Sequence, residues 1–318
     1  MRTATVSLDL DNKWSYLKTH GDAAWKEFPG YLNLVVPVAL DLFRELDMTA
    51  TFFVVGQDAD IEDEAAALRL LGESDHEIGN HSYHHEPWLH LKSESEIRQE
   101  MTEAHQAILK ATGREPVGFR GPGFSLSPAT LRALVDLGYE YDCSTLPMFL
   151  GPLARLFYFR TAKLADAERD QRARLFGKFS DGFRPIKPYR WDVGDQTMVE
   201  IPVTTMPLLR LPIHISYLLY ISRVSDRMAR AYFSSALGLC KLLRVDPSIL
   251  VHPLDLLGED DVEGLEFFPG MDLKGLTKRT RVRVFLEMLH SRFSLVSMQH
   301  ASRDLSGSTP QRSIAGLA

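Results

Sequence analysis

Four times along this chain, a short run of apolar and β-branched residues ends in a side chain that can bind a cation or move a proton. The runs cover residues 3–10, 76–80, 117–120 and 249–252, and they deliver Asp9 and Asp11, His81, Arg120 and His252. Residues 49–55, 139–143, 198–204 and 293–298 read as further strands by the same composition. Between them lie stretches with helical spacing of apolar residues, at 34–46, 60–71, 93–111, 225–243 and 274–291. Pro37 is tolerable if it falls in the first turn of its helix. Ser93 with Glu96 forms a capping-box pattern, and Ser127-Pro128 opens another helix with a cap and a Pro at its first position. Strands alternating with helices over this length predict a parallel α/β sheet or an α/β barrel.

The spacing of the polar residues narrows the chemistry. Side chains alternate along a strand, so Asp9 and Asp11 share one side while Leu10 faces the other. Two carboxylates so close repel each other unless a cation sits beside them. His81 and His85 are four apart, and one turn of helix would stack them on one face. Two imidazoles and a carboxylate, with an open position for water, suit a borderline metal such as zinc; cobalt, nickel or iron would also accept them. His84 is one position off that stack and reads as a supporting or surface residue. Arg120, followed by Gly121-Pro122-Gly123-Phe124, can fix a carboxylate bidentately, and the N–H groups of the Gly123-Phe124 turn could meet an oxyanion. His252 ends its strand where the other clusters end theirs, at the edge where α/β sites assemble.

Two stretches break the alternation. Residues 12–31 form a long connection after the first strand, and residues 144–195 form an insertion after the fifth. Loops of such length are usually functional covers or subdomains. One domain over residues 1–300 is expected, followed by a poorly ordered tail at 301–318 rich in Ser, Gly and Arg. A net charge of -6 lacks the basic face that nucleic-acid binding needs. Cys143 and Cys240 make no ligand-type spacing and no disulfide framework. No run of roughly 20 apolar residues is present, and no apolar leader opens the chain, so a cytoplasmic protein is the expectation.

In this order, Asp9/Asp11, His81-Ser82-Tyr83-His84-His85, Arg120-Gly121-Pro122 and Leu250-Val251-His252-Pro253 resemble the motifs of the polysaccharide deacetylase family, also called NodB-homology or carbohydrate esterase family 4 enzymes. The resemblance implies a distorted (β/α) barrel of about seven strands. It further implies a divalent metal, zinc first, held by Asp11, His81 and His85. Asp9 would then be the general base acting on water, Arg120 its holder, and His252 the acid that protonates the departing nitrogen. Two departures stand out: Leu10 separates acids that most members place side by side, and Asn12 replaces a glycine. The spaced form is similar to a branch that includes cytoplasmic amide hydrolases and a lipid-linked aminosugar deformylase.

The expected activity is removal of an N-acyl group, acetyl first, from an amino sugar in a polysaccharide, a sugar nucleotide or a lipid-linked glycan. The alternatives are hydrolysis of a small non-sugar amide or cyclic amide, and a silent glycan-binding barrel. Trp25 and Trp191 are candidate sugar platforms, beside Pro122, Gly123 and Phe124. The apolar stretch at 206–220 could cover a lipid tail, touch a membrane surface or form an oligomer contact.

Overall fold

The computed structural model describes residues 2–149, 179–305 and 309–317. Its centre is β1 (Thr3–Leu10), buried from Ala4 onward. β1 pairs in parallel with β2 (Thr51–Val54) on one side and β8 (Ser248–Val251) on the other. From β2 the sheet continues through β3 (Glu77–Asn80), β4 (Gly118–Phe119), β5 (Tyr141–Asp142) and β7 (Gln196–Glu200), all parallel. These seven strands, β8-β1-β2-β3-β4-β5-β7, are the number expected. Parallel strands covered on both faces must be apolar on both, which is why TFFV and SILV carry no alternation. Past β7 the chain bends back to β8, where the Thr204 N–H donates to the Ser248 carbonyl at 3.0 Å and the Ser248 N–H to Thr204 Oγ1 at 2.8 Å. The two ends of the run touch there without a ladder between β7 and β8.

Helices pack against this sheet. They are α1 (Lys13–His20), α2 (Leu32–Glu45), α3 (Gly56–Ala59), α4 (Ala65–Gly72), α5 (Glu94–Thr112), α6 (Pro128–Asp136), α7 (Ile215–Ser222), α8 (Asp226–Leu243), α9 (Gly275–His290) and α10 (Met298–Arg303). The start signals hold: Ser93 and Glu96 complete a capping box, and Ser127 caps α6 with Pro128 behind it. Pro37 lies inside α2, because the helix begins at Leu32, two residues before the expected start. The long connection at 12–31 contains α1. Its sequence KWSYLKTH mixes apolar and charged residues too evenly to show a helical stripe, yet Asn12 caps it and Gly21 closes it in the left-handed conformation.

Three corrections concern the second half. The expected insertion ends earlier than Asp195: β6 (Tyr189–Val193) is already part of the sheet, antiparallel to β7. Residues 150–178 of that insertion lie outside the described residues. The tail is ordered in part. β10 (Gln311–Ser313) pairs in parallel with β6, and Ile314 and Leu317 pack on the cluster holding Leu131, Tyr189 and Trp191. A polar composition hid this strand, because an edge strand needs only backbone pairing and two apolar contacts. The last expected strand, at 293–298, is only β9 (Ser294–Leu295), and Met298 already opens α10. Cys143 and Cys240 are both buried and free.

Candidate metal centre

The parallel registers fix where chemistry can occur. Leu10 is level with Val54, Val54 with Asn80, and Asn80 with Phe119. On the other flank Leu8 is level with Val251. One residue past these last paired positions come Asp11, His81, Arg120 and His252. Strand pairing alone therefore brings to one edge four groups drawn from the whole length of the chain.

The Asp11 Oδ1 atom lies 3.2 Å from His81 Nε2 and 2.9 Å from His85 Nε2. Among the described residues these three form the one group of three potential ligand atoms within 4.8 Å of one another. His81 Nδ1 is 2.6 Å from the Arg120 carbonyl, so that nitrogen carries the proton and Nε2 offers its lone pair. Among the described residues Asp11 Oδ1 is buried and accepts no hydrogen bond. A buried carboxylate oxygen faced by two imidazole nitrogens is an environment that a cation would satisfy. The residues fit a divalent metal: two nitrogens and one oxygen at one point. Burial alone would raise the Asp11 carboxyl, but His85 and His81 hold it well below the usual carboxylate range. Burial pulls the His81 imidazole down, and Asp9 and Asp11 outweigh that and raise it.

The pair His81/His85 does not sit on a helical turn, as its spacing suggests. The segment is a loop in which Ser82 (φ 63°) and His85 (φ 49°) adopt the left-handed conformation. Such residues cost about 1–3 kcal/mol each and persist only where neighbours over-determine them. The neighbours here are α5 and the β2 end. The buried Glu100 carboxylate accepts from the Tyr83 N–H at 3.1 Å and the His84 N–H at 2.6 Å, and bonds His84 Nδ1 at 2.7 Å. The Gly56 N–H donates to the Ser82 carbonyl at 2.9 Å, and the His81 N–H to the Val54 carbonyl at 2.8 Å. His84 is thus a clamp on the loop.

Beside the trio, Arg120 is wholly buried. Its Nη1 donates to Asp9 Oδ1 at 2.7 Å and Ser7 Oγ at 2.8 Å, its Nε to the Cys143 carbonyl at 3.2 Å, and its guanidinium lies over the Phe53 ring. Burial works against this cation, but Asp9 more than restores its charge. The His252 N–H donates to Asp255 Oδ2 at 2.8 Å, and its Nδ1 is 3.1 Å from Ser216 Oγ, which in turn donates to Asp255 Oδ2 at 3.0 Å.

The expected substrate contacts fare unevenly. Trp25 is half-buried and meets Phe28 edge-on, and the Lys18 ammonium lies 5.2 Å from its ring. Trp14, whose indole N–H donates to Asp58 at 2.7 Å, meets the His85 ring edge-on at 6.4 Å. Trp191 is corrected: it is buried against Tyr189 with its indole N–H on Glu200, so it belongs to the core and offers no stacking face. Pro122 is buried, Gly123 is exposed, and Phe124 is half-buried; a Cβ on Gly123 would lie 3.0 Å from Pro87, just past the histidine loop. The Phe124 N–H donates to the Gly121 carbonyl at 2.9 Å and is not available to an oxyanion, contrary to the expectation. The sequence reading missed four residues near His252 and Asp11: Ser216, Asp255, His214 and Tyr16. Asp255 alone left a trace, as the acid three places after His252, where it caps its own turn.

A seven-strand parallel α/β fold with two histidines and a carboxylate converging at one sheet edge defines an α/β protein with a candidate metal site. Residues 22–141, which carry His81, His85 and Arg120, match the polysaccharide deacetylase family model. Over 112 residues it is 32% identical to the peptidoglycan-N-acetylmuramic acid deacetylase PdaA of Bacillus subtilis, covering 35% of this chain and 41% of that protein. Over 145 residues it is 28% identical to a peptidoglycan deacetylase of Helicobacter pylori, covering 44% and 48%. The chain thus spans less than half the length of these curated relatives. Among solved structures, a Mycobacterium smegmatis protein assigned to the polysaccharide deacetylases aligns at TM-score 0.59 and 19% identity, over 97% of this chain and 93% of that one. The allantoinase PuuE aligns at TM-score 0.56 and 15% identity, over 95% and 89%. Both likenesses speak for the fold.

Proposed function

We propose that this chain is a metal-dependent N-deacylase that removes an acyl group, acetyl first, from an amino sugar. The observation that carries the reading is the convergence of Asp11, His81 and His85 beside the buried Asp9–Arg120 pair, with His252 at the same sheet edge. Asp11 and the two histidines would hold the metal, zinc being the first candidate. When bound, it supplies Lewis-acid polarisation of the acyl carbonyl and of the attacking water. Asp9 takes the proton from that water, and Arg120 keeps the carboxylate aimed. His252 gives a proton to the nitrogen, without which an amide leaves poorly. The curated relatives are named for peptidoglycan, and an acylated amino sugar within a glycan is the substrate class carried over from them.

A second reading, a lipid-linked glycan, is favoured by the loop before α7. Its Leu208 and Leu209 are 72% and 58% exposed, although the backbone at Leu208 is in the strained left-handed region. α7 itself reaches His252 through Ser216. An apolar tip held in water beside a site suits a substrate with an apolar tail.

The test is acid release from N-acetylated chito-oligosaccharides, peptidoglycan fragments, a sugar nucleotide, a polyprenyl-linked amino sugar and simple cyclic amides. Zinc-loaded, chelated and Asp9→Asn protein are compared. Release of acetate or formate from a glycan, lost on chelation and reduced at least about 100-fold in Asp9→Asn, is the expected result. Release only from the cyclic amides replaces the sugar reading. Unchanged turnover in both Asp9→Asn and His81→Ala sinks the mechanism.

A further inference from the structure

We infer that Ser216 and Asp255 form a relay that fixes the ring orientation and tautomer of His252, making Ser216 a positioning residue for proton delivery; the inference rests on His252 being the acid of the proposed reaction. Ser216 has one proton to give. Its hydroxyl donates to Asp255 Oδ2 at 3.0 Å, so toward His252 Nδ1, 3.1 Å away, it can only accept. The ring is thereby held with a proton on Nδ1, and Nε2 is left as the atom that gains and gives the mobile proton. Asp255 also accepts the His252 backbone N–H at 2.8 Å, so one carboxylate oxygen holds both the main chain and, through Ser216, the ring.

The relay is built into the fold. Asp255 is buried in the turn Pro253–Asp255 after β8, and Ser216 lies in the first turn of α7. That turn is itself pinned by Lys278 of α9, whose buried ammonium donates to the Leu254 and Leu257 carbonyls at 2.8 Å each. Other groups face His252 from the surrounding elements. His214, just before α7, has its ring centre 6.5 Å away and is pushed down to about 3, by burial first and by His252 second, so it brings no positive charge. Lys278 adds a cation on the far side of Asp255. Tyr16, from α1, turns a buried hydroxyl without a hydrogen-bond partner into a region shared with Asp11, Asp9 and Asp255. Asp9 stands one strand away, in β1. Among the described residues, Asp255 is the one acid joined to the ring through the Ser216 hydroxyl.

During turnover, the proton on His252 Nε2 passes to the leaving nitrogen, and the neutral ring is reprotonated from solvent. Nδ1–H stays on Ser216 throughout. Without the hydroxyl, the ring can rotate and exchange tautomers, and the proton is no longer aimed at the leaving nitrogen.

The experiment uses the full chain, with and without zinc, and records nitrogen-15 spectra of the histidine rings, with His252 assigned by its loss in His252→Gln. The expected result is an Nδ1–H ring in the wild type and in Ser216→Thr, and a mixed or Nε2–H ring in Ser216→Ala and Asp255→Asn. In the same variants kcat falls roughly 10- to 100-fold with little change in KM. An unchanged tautomer in folded Ser216→Ala overturns the inference. Undiminished turnover in His252→Gln overturns the acid role on which it rests. The spectra separate the two failures, since they report the relay without any substrate.

Discussion

Arg120 serves Asp9, Ser7 and the Cys143 carbonyl with one buried guanidinium, while its own carbonyl fixes the tautomer of His81. A buried cation with such neighbours is costly to remove, because the carboxylate left behind has no counter-charge. Arg120→Met should lower stability by about 3–5 kcal/mol, and adding Asp9→Asn should recover part of it; urea unfolding of the single and double variants measures both. A second buried acid gives a pH signature. Asp58 accepts from Trp14 and Asn12, yet burial pushes its carboxyl up to about 7. The folded state then binds more protons than the unfolded one between roughly pH 4 and 7, so this contribution is full at acid pH and is lost as pH rises toward 7. Asp58→Asn should flatten that fall, worth on the order of a few kcal/mol, in denaturation midpoints taken across the range. At this scale the sequence was legible where a residue follows a strand, as Asp11, His81, Arg120 and His252 do. It was silent on Ser216 and His214, because their meaning lies in a contact with His252 that no local pattern encodes.

The histidine loop shows the same limit at the scale of an element. A spacing of four is read most simply as one helical turn, but a clamped loop with two left-handed residues meets the same geometric demand. Ser82→Val should destabilise the chain by about 1–3 kcal/mol, since a β-branched side chain at positive φ is a severe strain. It should also weaken zinc binding in a calorimetric titration; retention of both stability and affinity would show that the loop has another conformation available. Elements with chemical punctuation were legible: the Ser93–Glu96 box and Ser127-Pro128 mark two helix starts to the residue. α1 and β10 were not, since α1 lacks an apolar stripe and β10 joins the sheet through its backbone.

For the whole molecule, the alternation of patterns gave eight strand segments and the family resemblance about seven; seven parallel strands form the run from β8 to β7, and β6 and β10 extend the sheet beyond that set. Trp191 shows the consequence: read as a surface platform, it is sealed into this extension with Tyr189 and Met198. Deleting residues 309–317 removes β10 and uncovers one edge of β6. Such a truncation should lower the melting temperature by about 2 °C per kcal/mol lost, with zinc affinity unchanged, because the proposed ligands follow β1 and β3. The position of β1 has a further effect, on synthesis rather than catalysis. During synthesis β1 waits for β8, more than two hundred residues later, before its second edge is covered. Until then a long, flat, apolar strand is open to pairing with a neighbouring nascent chain. β1, which carries Asp9 and leads directly into Asp11, is thus the strand whose exposure a chaperone would most need to shorten.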